Sequence, residues 1–399
     1  MPIFSVKGIR LGTTAAGIRY ANRDDLVVIE CQAGTSCAAV FTRNRFPAAP
    51  VQLAKEHLNQ VAPRVLLINS GNANAGTGEQ GIRAAVQCCQ MLADNLNCDA
   101  SEVLPYSTGV IGEQLPVKAF AQGIPECLKS LSADGDAWER VSKAIMTTDI
   151  VAKLFSRKID IAGSEVTITG MSKGAGMIRP DMATMLAYIA TDATIEQSVL
   201  QKLLNEATEV SFNRITVDGD TSTNDACTLM ATGAVEMLAI ADSTVEYEKF
   251  SSALTALMQD LAQAIIRDAE GASKFITINV SGGESEAVCL TVAYTVAESP
   301  LVKTALFASD PNWGRILAAV GRAPISKLDI KQVSIRLNDV AIVTAGEPDP
   351  AYTEEAGQQA VANSDITIDI QLGNSAEEVT VWTSDLSHDY IRINAEYRT

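Results

Sequence analysis

Hydroxyl chemistry needs a base beside the nucleophile, and this 399-residue chain is poorly supplied with the usual one, having only two histidines, His57 and His388. His57 lies in the helix-like segment AKEHLNQ, His388 follows Leu386-Ser387, and neither adjoins a recognisable nucleophile motif. Both read as structural or surface residues, so Ser-His-Asp and Cys-His arrangements lack sequence support. A threonine escapes the shortage if its own α-amino group is the base, which requires a cut just before it. Thr184 is the candidate. It stands in Met171–Asp192, MSKGAGMIRPDMATMLAYIATD, after a lead-in of Lys173-Gly174-Ala175-Gly176 and the pair Pro180-Asp181. Ala183 is small enough to let the Thr184 Oγ approach the preceding carbonyl for an N-to-O acyl shift. The competing reading makes Thr184 the N-cap of an apolar helix over Met185–Ala190, a position threonine favours.

Other stretches carry polar chemistry at defined spacing. In Leu104–Gly112, LPYSTGVIG, the pair Thr108-Gly109 could turn a backbone N–H and a hydroxyl toward a developing oxyanion, although a β-turn is the default for such a sequence. Ser70–Gly78, SGNANAGTG, lies between a strand pattern and a helix pattern. It lacks the Lys-Ser/Thr ending of a P-loop and the spacing of a dinucleotide fingerprint, so a structural turn outweighs a phosphate site. Thr216–Asp225, TVDGDTSTND, suggests a calcium loop, but Thr223 and Leu229 occupy the positions that need Gly and Glu, so no metal is expected. Glu270 follows a long helix, at the end where the dipole disfavours a carboxylate.

The runs Lys173-Gly174-Ala175-Gly176-Met177-Ile178 and Met182-Ala183-Thr184-Met185-Leu186, with Thr108-Gly109 and the C-terminal INAEYRT, closely resemble the glutamate N-acetyltransferase and ornithine acetyltransferase family, the ArgJ enzymes. The resemblance covers essentially the whole chain, with Arg179 and Asp181 as small departures. It implies self-cleavage between Ala183 and Thr184, giving an α-chain 1–183 and a β-chain 184–399. It further implies an acetyl-Thr184 intermediate and an oxyanion hole of Thr108 and Gly109. Substrate contacts are implied at Thr147 (or Thr148 of the same TTD segment), Lys173, Thr184, Glu270, Asn394 and Thr399. The implied reaction is ping-pong transfer of acetyl from N2-acetyl-L-ornithine to L-glutamate in arginine biosynthesis. No cofactor is implied, acetyl-CoA is a candidate co-substrate, and the two chains are expected to assemble as a heterotetramer. The alternatives are a bifunctional form that also draws acetyl from acetyl-CoA, and, in a different class, a non-processing small-molecule kinase or binding protein built on the two glycine-rich loops.

These residues need a scaffold of strands and helices. Asp25–Cys31, Arg64–Asn69, Glu165–Gly170, Phe275–Val280, Ala287–Tyr294, Val333–Leu337, Ile366–Leu372 and Glu378–Thr383 read as strands. Helical patterns cover Glu79–Leu92, Asp134–Met146 and Tyr247–Asp268, and a helix with apolar face Val199, Leu200, Leu203, Leu204 and Ala207 follows a capping box over Thr194–Gln197. The segment 306–316 reads as a polar loop. The mixture is α+β or α/β by pattern, and the resemblance sharpens it to an αββα sandwich, completed by 184–280, with a smaller α/β domain over 281–399.

Composition narrows the class. With 47% hydrophobic residues the chain can bury a large core. Thirty-one Lys and Arg against 48 Asp and Glu give a formal charge of −17, which argues against a nucleic-acid partner and fits a soluble protein. No apolar run is long enough to span a bilayer, and no signal or transit pattern opens the chain. The eight cysteines are dispersed without a CxxC pair, as expected of free thiols in a reducing cytoplasm.

Overall fold

A computed structural model describes residues 2–179 and 185–397. The chain divides into two compact units.

The first unit takes in Met1–Gly174, Arg179–Asn213 and Thr221–Ile265. One of its sheets has the order β1-β2-β4-β5, formed by β1 (Ile9–Thr14), β2 (Leu26–Cys31), β4 (Val65–Asn72) and β5 (Val103–Val110). The other has the order β3-β10-β8-β7-β6, formed by β3 (Ser36–Phe41), β10 (Ala226–Ala231), β8 (Leu186–Thr191), β7 (Ser164–Lys173) and β6 (Lys153–Ile161). Helices α1 (Ala49–Gln60), α2 (Gly78–Leu96), α3 (Val117–Lys129), α4 (Gly135–Ala144), α5 (Gln197–Glu209) and most of α6 (Val245–Arg267) belong to this unit. Strand alternation sorts the side chains. Val27, Ile29, Leu66, Ile68 and Tyr106 of the first sheet share a core with Met171, Tyr188, Ala190 and Met230 of the second. Leu26, Val28, Leu67 and Val103 face the other way, onto Cys88 and Leu92 of α2 and Phe120 and Ile124 of α3.

The second unit takes in Ala175–Ile178, Arg214–Asp220 and Ile266–Thr399. Its seven-stranded sheet runs β14-β13-β12-β15-β11-β16-β9, with β9 (Ile215–Thr216), β11 (Phe275–Ser281), β12 (Ser334–Leu337), β13 (Val340–Thr344), β14 (Glu347–Pro348), β15 (Asp365–Gln371) and β16 (Glu378–Ser384). The central β11 pairs parallel to β15 and antiparallel to β16. Helices α7 (Glu286–Ala297), α8 (Pro300–Phe307), α9 (Trp313–Gly321) and α10 (Glu354–Ala362) supply buried residues to its core, and α11 (His388–Glu396) closes the chain.

Several expected elements change type. Met185–Ala190 is not a helix: Leu186–Thr191 is the central strand β8, paired parallel to β10 and antiparallel to β7. Every residue of β8 is buried, so the run shows no alternation and its period could not reveal its type. Ala287–Tyr294 errs the other way and lies within α7, where Cys289, Val292, Ala293 and Val296 are buried at helical spacing and Ser285 accepts the Val288 N–H as N-cap. Leu104–Gly112 is mostly strand β5, so Thr108-Gly109 lies in a strand rather than in a β-turn. Thr194–Gln197 forms no capping box, since α5 starts at Gln197 after Glu196. Within 306–316 the loop is shorter than expected, because α9 begins at Trp313. Overall the chain is α+β.

Candidate functional site

In the first unit the polar groups gather where β5 and β7 end. Thr108 and Gly109 lie near the end of β5, opposite Ser70 and Gly71 of β4. Gly109 has φ +132°, and a Cβ there would collide with the Gly71 backbone, so only glycine lets the two strands close at this point. Asn224 fastens the same end: its Nδ2 donates to Ser107 O at 2.9 Å and to Ala73 O at 2.6 Å. Lys173, the last residue of β7, donates from Nζ to Thr108 Oγ1 at 2.9 Å. With that lone pair engaged, the Thr108 hydroxyl proton is available for a ligand oxygen. Lys173 also pairs in register with Leu186, the first residue of β8.

Asp149 organises the other side of Lys173. Its Oδ1 accepts from Gly174 N at 2.6 Å and from Lys153 Nζ at 2.7 Å, and its Oδ2 accepts from Thr147 N at 3.0 Å. The side chains of Lys153 and Asp149 are 1% and 0% exposed. Burial by itself would raise the Asp149 carboxyl, but Lys153, Lys173 and the Gly174 N–H outweigh it and hold it at about 2. A carboxylate ionised at neutral pH thus sets Thr147 and the start of the glycine-rich lead-in.

In the second unit, Glu270 follows the end of α6 and is 8% exposed. Its Oε2 accepts from Asn394 Nδ2 on α11 at 2.7 Å, and its backbone N–H donates to Ala175 O at 3.0 Å. A Cβ on Gly176 would stand 2.6 Å from Glu270 Oε1, so the missing side chain is what makes room for the carboxylate. The next two residues are held by Asp218, which accepts from Met177 N at 2.7 Å, Ile178 N at 2.9 Å and the Tyr390 hydroxyl at 3.0 Å. Burial holds the Asp218 carboxyl above its usual range while these donors pull it down.

Of the expected site residues, Thr108, Gly109, Lys173 and Thr147 fall in the first cluster, and Glu270 and Asn394 in the second. Ala183, Thr184 and Thr399 lie outside the described residues. Asp149, Asn224, Asp218 and Tyr390 were not singled out from sequence. The signal for Asp149 was present in the TTD segment, with Lys153 four residues on; Gly174 meets it only through tertiary structure. The histidines take structural places: His57 Nδ1 lies 2.7 Å from Val103 O, and the His388 ring packs edge-on against Phe307. All eight cysteines are free. Burial pushes Cys31, Cys88 and Cys127 up to about 12, so they are poor nucleophiles at neutral pH. The asparagines of 70–78 are engaged by neighbouring turns, as Asn74 shows with Gly81 O and Thr77 Oγ1. No group of His, Cys, Asp and Glu suited to a metal occurs among the described residues, and no described helix is long and apolar enough to cross a membrane.

A model of the ArgJ family matches residues 10–399. The chain is similar to the arginine biosynthesis bifunctional protein ArgJ of Pseudomonas syringae pv. tomato, 52% identical over 395 residues covering 99% of this chain and 97% of that one. It is 53% identical to the protein of the same description from Methylococcus capsulatus, over 99% of this chain and 96% of that one. Among solved structures it is similar to the arginine biosynthesis bifunctional protein from Bacillus halodurans, with a TM-score of 0.51, 36% identity, and coverage of 53% of this chain and 99% of that chain.

Proposed function

The chain belongs to the ArgJ family and is an ornithine acetyltransferase of arginine biosynthesis, and we propose that a threonine nucleophile released by self-cleavage performs the transfer. Thr184 Oγ attacks the Ala183 carbonyl, the acyl group moves from N to O, and water hydrolyses the ester. The products are an α-chain ending at Ala183 and a β-chain beginning with the free amine of Thr184. That amine takes the proton from its own Oγ, which attacks the acetyl carbonyl of N2-acetyl-L-ornithine. Thr108 and Gly109 donate to the tetrahedral oxyanion, and collapse returns the proton to the departing ornithine amine. L-glutamate then attacks acetyl-Thr184 by the reverse steps, which makes the kinetics ping-pong. Lys173 meets a substrate carboxylate, Thr147 and Thr399 are further substrate-binding residues, and Glu270 with Asn394 takes an ammonium group.

One observation carries this reading. Lys173 touches Thr108 at 2.9 Å and pairs in register with Leu186, two residues beyond Thr184 in the chain. That supports a nucleophile delivered to a cation and an oxyanion donor together. The test is the Thr184→Ala chain: the unaltered protein runs as two fragments on a denaturing gel, whereas the variant stays whole and inactive. An active, uncut wild-type chain, or acetyl transfer by Thr184→Ala, would refute the mechanism.

Acetyl-CoA is a second donor in this reading, in keeping with the description "bifunctional" carried by the relatives. Acetylation of glutamate by acetyl-CoA without acetylornithine tests it. The layered first unit supports an αββα sandwich completed by 184–280, with 281–399 as the smaller α/β domain. We assign the enzyme to the cytoplasm as a heterotetramer of two α- and two β-chains.

A further inference from the structure

We propose that Asp218, together with Tyr390, is a positioning residue that sets the pre-scissile loop and the C-terminal helix as one piece, and so serves both self-cleavage and recognition of the amine substrate. The proposal rests on the reading above of Ala183-Thr184 as the scissile bond and of Glu270 and Asn394 as the ammonium site. Met177 sits at φ +53°, a left-handed conformation that a side chain disfavours. Successive N–H groups of Met177 and Ile178 converge on the two oxygens of Asp218, and Ile178 O accepts from Val217 N at 2.7 Å. A carboxylate, with acceptor capacity on both oxygens and no donor, fits this pair; an amide of the same shape would turn an NH2 toward one of the two donors. The loop so held is the one whose Gly176 receives the Glu270 carboxylate and whose Ala175 O receives the Glu270 N–H.

Tyr390 extends the clamp to α11. Its hydroxyl donates to Asp218 one turn before Asn394, and Asn394 Nδ2 reaches both Glu270 Oε2 and Tyr390 O. Ser387, the N-cap of α11, donates to Gly271 O at 2.6 Å, so the helix is tied at its start to the residue next to Glu270. The Asp218–Tyr390 bond ties its first turn as well. Loss of the hydroxyl frees the turn that carries Asn394 while leaving the loop on Asp218; loss of the carboxylate frees both.

The experiment uses the full-length chain and its Asp218→Asn and Tyr390→Phe variants. Conversion of precursor to fragments is followed on denaturing gels, and KM and kcat for N-acetylornithine are measured on cleaved enzyme. Asp218→Asn is expected to slow conversion at least tenfold. Tyr390→Phe is expected to cleave within twofold of the normal rate, with KM raised five- to tenfold and kcat lowered less than threefold. A merely structural role would reduce folded enzyme and leave KM unchanged. Normal cleavage in Asp218→Asn, or an unchanged KM in Tyr390→Phe, overturns the proposal while fragments in the wild type keep the threonine mechanism standing. A wild-type chain that is active and uncut instead fails that mechanism. Should Asp218→Asn prove insoluble, the KM of Tyr390→Phe decides.

Discussion

Replacing Asp149 by asparagine exchanges one carboxylate oxygen for an NH2 group at the junction of Thr147, Lys153 and Gly174. The carboxyl is held at about 2, against an ordinary 3.8, although burial opposes ionisation. At 1.36 kcal/mol per unit this preference corresponds to roughly 2–3 kcal/mol. The variant also takes the carboxylate from the ion pair with Lys153, whose side chain is 1% exposed, and breaking a buried pair from one side typically costs about 3–5 kcal/mol. We therefore expect Asp149→Asn to destabilise the chain by about 3–5 kcal/mol at pH 7. Lys153→Met removes the buried positive charge, so the double variant should recover part of the loss, with a coupling of about 2 kcal/mol or more. Urea unfolding in a Thr184→Ala background keeps the chain whole for the comparison. Linkage fixes the pH dependence. A depressed carboxylate contributes stability above its unfolded value and loses it as pH falls toward the folded one. The gap between wild type and Asp149→Asn should thus narrow between pH 4 and pH 2. A coupling below about 0.5 kcal/mol, or a gap independent of acid, would refute the reasoning.

Gly176→Ala places a methyl group against the Glu270 carboxylate; on the proposed role of Glu270, KM for N-acetylornithine should rise about tenfold, the equivalent of roughly 1.4 kcal/mol, and an unchanged KM in steady-state assays would argue that Glu270 does not meet the substrate. Burial pushes the Lys303 ammonium down to about 8, against the opposing pull of Asp385, Asp218 and Glu298. The folded state therefore binds fewer protons than the unfolded one between pH 8 and 10.5, and wild-type stability should gain up to roughly 3 kcal/mol from this residue across that interval. Urea midpoints of wild type and Lys303→Met at pH 7 and pH 10 test it, and parallel pH profiles would count against a strained ammonium.

Much of the scaffold was legible because burial leaves a period behind. β2, α6 and β15 announce themselves by apolar runs or stripes of the right length, and the helical pattern over Asp134–Met146 becomes α4, with Asp134 accepting the Ala137 N–H as its cap. The pattern fails where an element is buried all round. β8 and α7 are both short apolar runs rich in alanine and β-branched residues, and each took the other's type, since only pairing partners distinguish them. Nor does sequence show which polar residues hold the chemical ones. Thr108, Lys173 and Glu270 stand out through motifs; Asn224 and Asp218, and Asp149 at Gly174, act through partners far along the chain, as in the 151-position separation of Asn224 and Ala73.

The strand order β3-β10-β8-β7-β6 has a consequence for the life of the molecule after the proposed cut. Three of those strands precede Thr184 in the chain and two follow it, and they alternate within the sheet: β10 and β8 lie between β3 and β7. Neither fragment therefore owns this sheet, and the break is a nick in a shared fabric. Before it, folding is a reaction of one molecule; afterwards it is a meeting of two. On that proposal the cut would turn a single-chain fold into one assembled once, from a precursor that cannot be regenerated, and the active enzyme would persist through slow unfolding more than through any equilibrium with its parts.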